Sequence, residues 1–267
     1  VKIFNQSHRV TVRDNLILEN PDSSGVWYDV GNHDGVFVNN YVEDATNGFF
    51  FEISKGVTVA GNVFVNCGKG VYILNSADAK VCNNTFFDST AAFERNQRSA
   101  AADHFGWHPA TGPDVGEREG HIFVNNLMVA SDSLNEPLLR FGQPAMLCDR
   151  LPDPQAKKIE GNVYVRADVP EKKSVPLIRW SPAGGDNCQV AFKSLDDFRN
   201  AAKGFEKTGI QVNMTARSIF RGPDLKRYDL LRPLPEVKNI GIIPEEVRKI
   251  LGWSRKQAHC VGAYPIP

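Results

Sequence analysis

Through the first two-thirds of the chain, apolar and polar residues alternate in short runs, and the runs recur. The segments VTVRDNLILEN, VFVNNYVED, VTVAGNVFVNC, AKVCNNTFFDS, HIFVNNLMVAS and KKIEGNVYVRA superpose on one asparagine. That column is Asn15, Asn40, Asn62, Asn84, Asn126 and Asn162, at intervals of 25, 22, 22, 42 and 36 residues. Alternation on both sides of the Asn predicts strands with one face buried. A repeat this short cannot bury its own apolar face, so each must stack on the next, and the longer intervals mark insertions. Gly25, Gly48 and Gly70 open successive coils. Asparagine tolerates the left-handed backbone of a tight turn, and stacked amides can hydrogen-bond along the axis, which predicts an Asn ladder at a turn.

This pattern resembles the right-handed parallel β-helix over roughly residues 1–181. Leucine-rich repeats share the period, but their Leu-x-x-Leu-x-Leu frame is absent, and a β-sandwich would lack the Asn column. The last third reads differently. Ser194-Leu195-Asp196-Asp197 is a capping box that opens a helix to about Lys203. Pro244 to Leu251, closed by Gly252, is a second short helix, and SIFRGPDLKRYDLLRPLP between them is irregular. The expected fold is therefore an all-β parallel solenoid, residues 1–181 with an insertion at 95–120. An extension, 182–267, is expected to cover the last coil and run back along the barrel. The terminal VGAYP resembles the closing motif of many β-helix carbohydrate-active proteins. Val1 to Asn5 already fits the repeat, so further coils or a second chain are expected to pack against the first coil.

One strand per coil can be aligned at Gly25–Asp29, Gly48–Glu52, Gly70–Leu74 and Thr90–Glu94, then at strands ending in Arg140 and Arg179. Period-two alternation puts Val26, Tyr28, Phe49, Phe51, Val71, Ile73 and Phe93 inside. Two outward columns remain: Trp27, Phe50, Tyr72, and Asn5, Asp29, Glu52, Leu74, Glu94, Arg140, Arg179. An outward aromatic strip on a soluble chain suggests a ligand, and flat rings beside carboxylates suit sugars. Asp29 and Glu52 are one coil apart, on strands about 4.8 Å apart. That spacing suits the ~5–5.5 Å carboxyl separation of retaining glycosidases better than the ~6.5–9.5 Å of inverting ones. Two close acids titrate apart, and Glu52, flanked by phenylalanines, is the better acid and Asp29 the better nucleophile. The plainer account is that such acids are solvated decoration balanced by Arg140 and Arg179.

The stretch Val26-Trp27-Tyr28-Asp29, followed one coil later by Phe50-Phe51-Glu52-Ile53, resembles the active-site signature of the β-helical retaining β-xylosidases of glycoside hydrolase family 120. The resemblance implies Asp29 as nucleophile and Glu52 as acid/base. The surrounding sequence also resembles a broader group of bacterial β-helix proteins, some acting on fucosylated and pectic glycans. A secreted, periplasmic or cell-surface location follows from that resemblance, though the chain itself carries no signal segment.

The segment Arg95–Gly120 holds His104, Trp107, His108 and Asp114, and a long insertion on a rigid scaffold is a natural source of substrate contacts. His104 and His108 are read as candidate substrate contacts, and His33 with Asp34 as the pocket edge. Gly106 and Pro109 argue against a metal-binding helix, and no metal or cofactor is expected. Polysaccharide lyases also use this fold, and Arg140 and Arg179 could serve one, but acidic coils around Asp29 would repel a uronate. A non-catalytic glycan-binding solenoid is the remaining alternative, although a binder needs no paired acids.

Composition adds two points. The chain has 31 Lys plus Arg against 31 Asp plus Glu, which removes bulk attraction for nucleic acid or anionic lipid. No apolar run approaches the ~18 residues of a membrane helix. The zero sum divides into residues 1–96, with 7 bases against 11 acids, and a basic remainder, favouring a neutral or weakly charged sugar over a polyanion. Five cysteines leave at least one outside an intrachain disulfide. Cys67 and Cys82 read as small buried hydrophobes, and a Cys148–Cys188 bridge would require an oxidising compartment.

Overall fold

The computed structural model describes residues 1–98, 112–167, 174–184, 187–231, 242–254, 257 and 260–264. The chain winds as a parallel β-helix, each circuit adding one strand to each of three sheets. Sheet A takes Lys2–Phe4, Asn20–Asp29, Ala45–Glu52, Lys69–Leu74, Thr90–Glu94, Leu139–Gly142 and Ile178–Trp180, all parallel. Sheet B runs from Thr11–Arg13 through His33–Val38, Lys55–Ala60, Ala77–Cys82 and His121–Val124 to Ala156–Glu160. Sheet C runs from Leu16–Ile17 to Ile210–Val212. Two strands beyond residue 181 therefore join the barrel: Ile210–Val212, parallel in sheet C, and Val190–Phe192, antiparallel on sheet A.

The interior is the one the alternation predicts. Val26, Phe49 and Val71 share one inward register and Tyr28, Phe51, Ile73 and Phe93 the next, none more than 2% exposed. Phenylalanines from different sheets meet on the axis, as in Phe37 with Phe49 at 4.8 Å and Phe93 with Phe123 at 5.9 Å. The coil-opening glycines are required by the stacking. A Cβ on Gly48 would lie 2.5 Å from the Phe64 ring and 2.7 Å from the Gly70 carbonyl of the next coil.

The asparagine ladder is present. The Nδ2 of Asn15, Asn40, Asn62, Asn84 and Asn126 each donates to the Oδ1 of the next rung at 2.9–3.1 Å. The backbone N–H of each donates to that same oxygen. The last rung, Asn162, donates to Glu206 Oε1 at 2.6 Å, and Tyr164 adds a hydroxyl at 2.7 Å. Burial is the main reason the Glu206 carboxyl is pushed up to about 7. The conformational part of the expectation is corrected by one residue. The left-handed position belongs to the preceding residue, Asp14, Asn39, Gly61, Asn83, Asn125 and Gly161, at φ between 52° and 68°. The ladder asparagines are kept for their amides, while Asn, Asp or Gly one position earlier makes the bend.

The extension covers two of the three outer faces. The helix Leu195–Ala201, capped by Ser194 Oγ accepting from the Asp197 N–H, places Leu195 and Phe198 over the end of the core. The stretch read as irregular contains a short helix, Ala216–Ile219, and an antiparallel hairpin, Phe220–Gly222 with Arg227–Leu230. Its Tyr228 packs on Tyr41 and Phe87 outside sheet C. The helix Glu245–Leu251 and Trp253 pack outside sheet B on Val38, Ala60, Cys82 and Val124. Sheet A receives no such cover from the described residues of the extension. Cys148 and Cys188 form a disulfide, and Cys67, Cys82 and Cys260 are buried. No described helix is long and apolar enough to cross a membrane.

Candidate functional site on sheet A

The outer face of sheet A carries the two predicted columns, in a corrected register. Asp29 pairs with Glu52, Glu52 with Leu74 and Leu74 with Glu94, as expected. The neighbour of Asp29 on the first coil is Phe4 rather than Asn5, and Glu94 is followed by Gly142. Arg140 and Arg179 fall two residues away, in the column Lys2, Trp27, Phe50, Tyr72, Ala92, Arg140, Arg179. Aligning those strands by their last residue misplaced them, because Leu139–Gly142 and Ile178–Trp180 run past the arginines.

Asp29 and Glu52 are 5% and 7% exposed. Lys2 Nζ lies 2.8 Å from Asp29 Oδ2, and Arg98 Nη1 lies 3.0 Å from Glu52 Oε1. The two carboxyls stand in register on neighbouring strands and interact directly. Burial first, and then the neighbouring Asp29, push the Glu52 carboxyl up to about 7, against the opposing charges of Arg98 and Lys2. One carboxyl of the pair therefore keeps a proton near neutral pH.

That protonation has a consequence for stability. Unfolded, Glu52 loses its proton near the ordinary glutamate value; folded, it keeps it until about pH 7. Across that window the folded state binds more protons, so stability falls as pH rises and the loss is complete above the folded value. Glu52→Gln removes this loss. Its unfolding free energy relative to wild type is expected to rise by on the order of 2 kcal/mol between pH 5 and pH 8, with solvent and Arg98 tempering the full shift. Denaturant unfolding at the two pH values reads it, and a pH-independent difference would show that Glu52 is not held protonated.

The aromatic strip is more closed than the alternation implies. Trp27 and Phe50 stack at 5.1 Å and 18°, and Phe50 and Tyr72 at 4.8 Å and 13°, so the ring faces meet each other along the axis and edges point outward. Lys2 Nζ sits 3.8 Å from the Trp27 ring centre and Lys69 Nζ 4.5 Å from that of Tyr72. Phe50 is only 9% exposed. The stack ends at Ala92, whose small side chain leaves room beside Tyr72. A groove of about 330 Å³ opens there, lined by Tyr72, Leu74, Glu94, Arg140 and their neighbours. Glu94 is tied up: it accepts from the Tyr72 hydroxyl at 3.1 Å and faces Arg140 Nε at 2.8 Å.

His33 does not join this site. It follows Asp29 around a turn and enters sheet B, where its ring meets His8 at 5.1 Å and lines a separate groove of about 750 Å³ with Asp34, Lys55 and Lys80. Burial, and then His8, lower its basicity. His104, Trp107 and His108 lie outside the described residues.

Four basic residues at the site went unread in the sequence. Lys2 was legible once Lys2 and Trp27 are placed in one column. Arg98 belongs to the insertion and reaches back two coils. Arg118, 1% exposed, donates to Asn75 Oδ1 and the Asn96 carbonyl, both at 2.8 Å, and to the Arg98 carbonyl, anchoring the segment that delivers Arg98. Arg95, 2% exposed, lies under the groove. Nothing local in the sequence marks the last two. With Lys2, Arg98 and Arg140 each on a carboxylate, the face is not the acidic surface that the coil composition suggested.

With the geometry established, comparison with known proteins adds one finding. Residues 3–101 match the family model described as NosD, periplasmic copper-binding protein. No curated protein and no solved structure matches the chain. The described residues contain no group of three or more His, Cys, Asp or Glu able to hold a metal ion. The imidazoles of His8 and His33 stand together, and the thiols of Cys67, Cys82 and Cys260 are buried.

Proposed function

We propose that the protein is a retaining glycoside hydrolase acting on an oligosaccharide at the outer face of sheet A. The observation that carries this reading is the buried, in-register Asp29–Glu52 pair, with Glu52 held protonated near neutrality beside an ion-paired Asp29. Asp29 forms a bond to the anomeric carbon as the glycosidic bond breaks, and Glu52 gives its proton to the departing oxygen. Glu52, now a carboxylate, takes a proton from water as that water displaces Asp29, restoring both groups. Lys2 holds the Asp29 carboxylate and Arg98 the Glu52 carboxyl. The resemblance to β-helical β-xylosidases supports the same roles. The periplasmic description of the matched family and the Cys148–Cys188 disulfide favour an extracytoplasmic location.

A panel of aryl glycosides, followed by proton NMR of the reaction, tests the reading. The first-formed sugar is expected to keep the anomeric configuration of the substrate. Release of the inverted anomer would exclude Asp29 as nucleophile. Unsaturated, ultraviolet-absorbing products from uronate oligosaccharides would assign a lyase instead, the reading favoured by the row Arg140 and Arg179.

A further inference from the structure

The groove beside Tyr72 begins one coil beyond Glu52, since Leu74, the register partner of Glu52, lines it. Its charged lining is one acid, Glu94, and two arginines, Arg95 and Arg140. Glu94 is already spent on Arg140 and the Tyr72 hydroxyl. Arg95 is held entirely by neutral oxygens: Gln143 Oε1 at 2.5 Å and the carbonyls of Leu151 and Asp153, both at 3.1 Å. Its Nη1 is buried and has no hydrogen-bond partner. A guanidinium this buried, with no carboxylate in contact and opposed only at longer range by Glu119 and Asp153, leaves a positive field over the cavity beside it. Arg179, the neighbour of Arg140 in the same outward column, stands just beyond the groove's lining, makes no ion pair among the described residues and adds to that field. The amides of Gln143 and Gln189 complete the rim, and the Cys148–Cys188 disulfide ties the segments that carry them.

We propose that this groove binds the carboxylate-bearing ring of an acidic glycan, a uronic acid residue one position along from the Asp29–Glu52 pair, with its carboxylate toward Arg140 and Arg179 and its ring against Tyr72. The proposal rests on reading this face as a glycan site. It narrows the neutral or weakly charged sugar suggested by coil composition to an acidic one, because the acids of this face are individually paired whereas arginines outnumber acids in the groove. Arginine suits a planar carboxylate, and a site built to meet one rejects a ligand lacking it.

Digalacturonic acid, its dimethyl ester and inorganic phosphate are the probes, titrated by calorimetry into wild type, Arg140→Gln, Arg179→Gln and Arg95→Gln. Wild type is expected to bind the acid at least tenfold more tightly than the ester, and Arg140→Gln and Arg179→Gln to cut that preference at least threefold. Arg95→Gln removes a buried group, so its binding is interpreted only if its circular dichroism matches wild type; the two more exposed arginines decide the matter without it. Equal affinity for acid and ester, a preference untouched by both exposed variants, or no binding of either sugar would overturn the proposal. Phosphate binding as tightly as the acid would reduce the groove to an adventitious ion site and equally overturn it. Acid preference without hydrolysis of any glycoside would leave the groove standing and remove the catalytic reading; hydrolysis of neutral glycosides with no acid preference would do the reverse.

Discussion

Asp29→Asn is expected to lower kcat/KM on aryl glycosides by at least about 10⁴-fold, because an amide cannot form the covalent ester on which a retaining mechanism depends. Glu52→Gln is expected to behave differently. With a poor leaving group it should cost about 10²–10⁴-fold, the usual range for a lost general acid. With a dinitrophenyl leaving group the first step needs little protonation, so cleavage should persist while the second step, which needs Glu52 as base, stalls. The wild-type enzyme should lose kcat/KM as pH rises through about 7, where Glu52 gives up its proton, and that limb should vanish in Glu52→Gln. Steady-state kinetics with two leaving groups across pH 5–9 read all of this. Two variants with wild-type turnover would end the assignment, leaving the pair as an ion-paired structural feature of the face.

The largest effect on stability is expected from Asn84→Ala. Asn84 Nδ2 donates to Asn126 Oδ1 at 3.0 Å and to the carbonyls of Val59 and Cys82 at 2.9 and 3.2 Å. Its Oδ1 accepts from Asn62 twice, at 2.9 and 3.0 Å. All of these groups are buried, so deletion strands partners on three coils with no water to replace it. A loss of about 4 kcal/mol is expected, larger than a single hydrogen bond because the unmet partners carry their own desolvation cost. Asn15→Ala, at the exposed first rung, should cost about 1 kcal/mol or less. Denaturant midpoints compare the two. Equal, small losses would mean that the ladder fills the turn without holding coils together.

The barrel was legible because its strongest constraint is periodic. Inward positions, strand register around Asp29 and Glu52, and the ladder column all follow from a repeat that cannot satisfy itself except by stacking. The left-handed position was misread by one residue because Asn-Asn pairs such as Asn39-Asn40 and Asn83-Asn84 offer two asparagines, and only geometry separates the bend from the rung. The hairpin at Phe220–Leu230 was hidden by Pro223, which turns the chain without preventing the two short strands from pairing.

The site was half legible. Two acids one coil apart on an outward face are a pattern that sequence can carry. The bases that meet them are not, because Lys2 and Arg98 arrive from one coil before and from the insertion, and their roles depend on register and loop path. Composition was misleading for the same reason. Counting charges in residues 1–96 predicted a negative face, but Lys2, Arg98 and Arg140 each settle on one of its acids, and Arg98, Arg118 and Arg140 come from beyond the counted coils. His33 shows the opposite failure, since four residues along the chain from Asp29 lie across a turn and on another sheet.

The central claim is that Asp29 becomes covalently glycosylated. Mass spectrometry of Glu52→Gln, quenched during turnover of a dinitrophenyl glycoside that wild type hydrolyses, measures this directly. The account predicts a protein mass increased by one glycosyl unit, with the added mass on the peptide containing Asp29 and absent when Asp29→Asn is combined with Glu52→Gln. A glycosyl adduct on another residue, or hydrolysis by wild type with no adduct in the Glu52→Gln variant at any quench time, would contradict it.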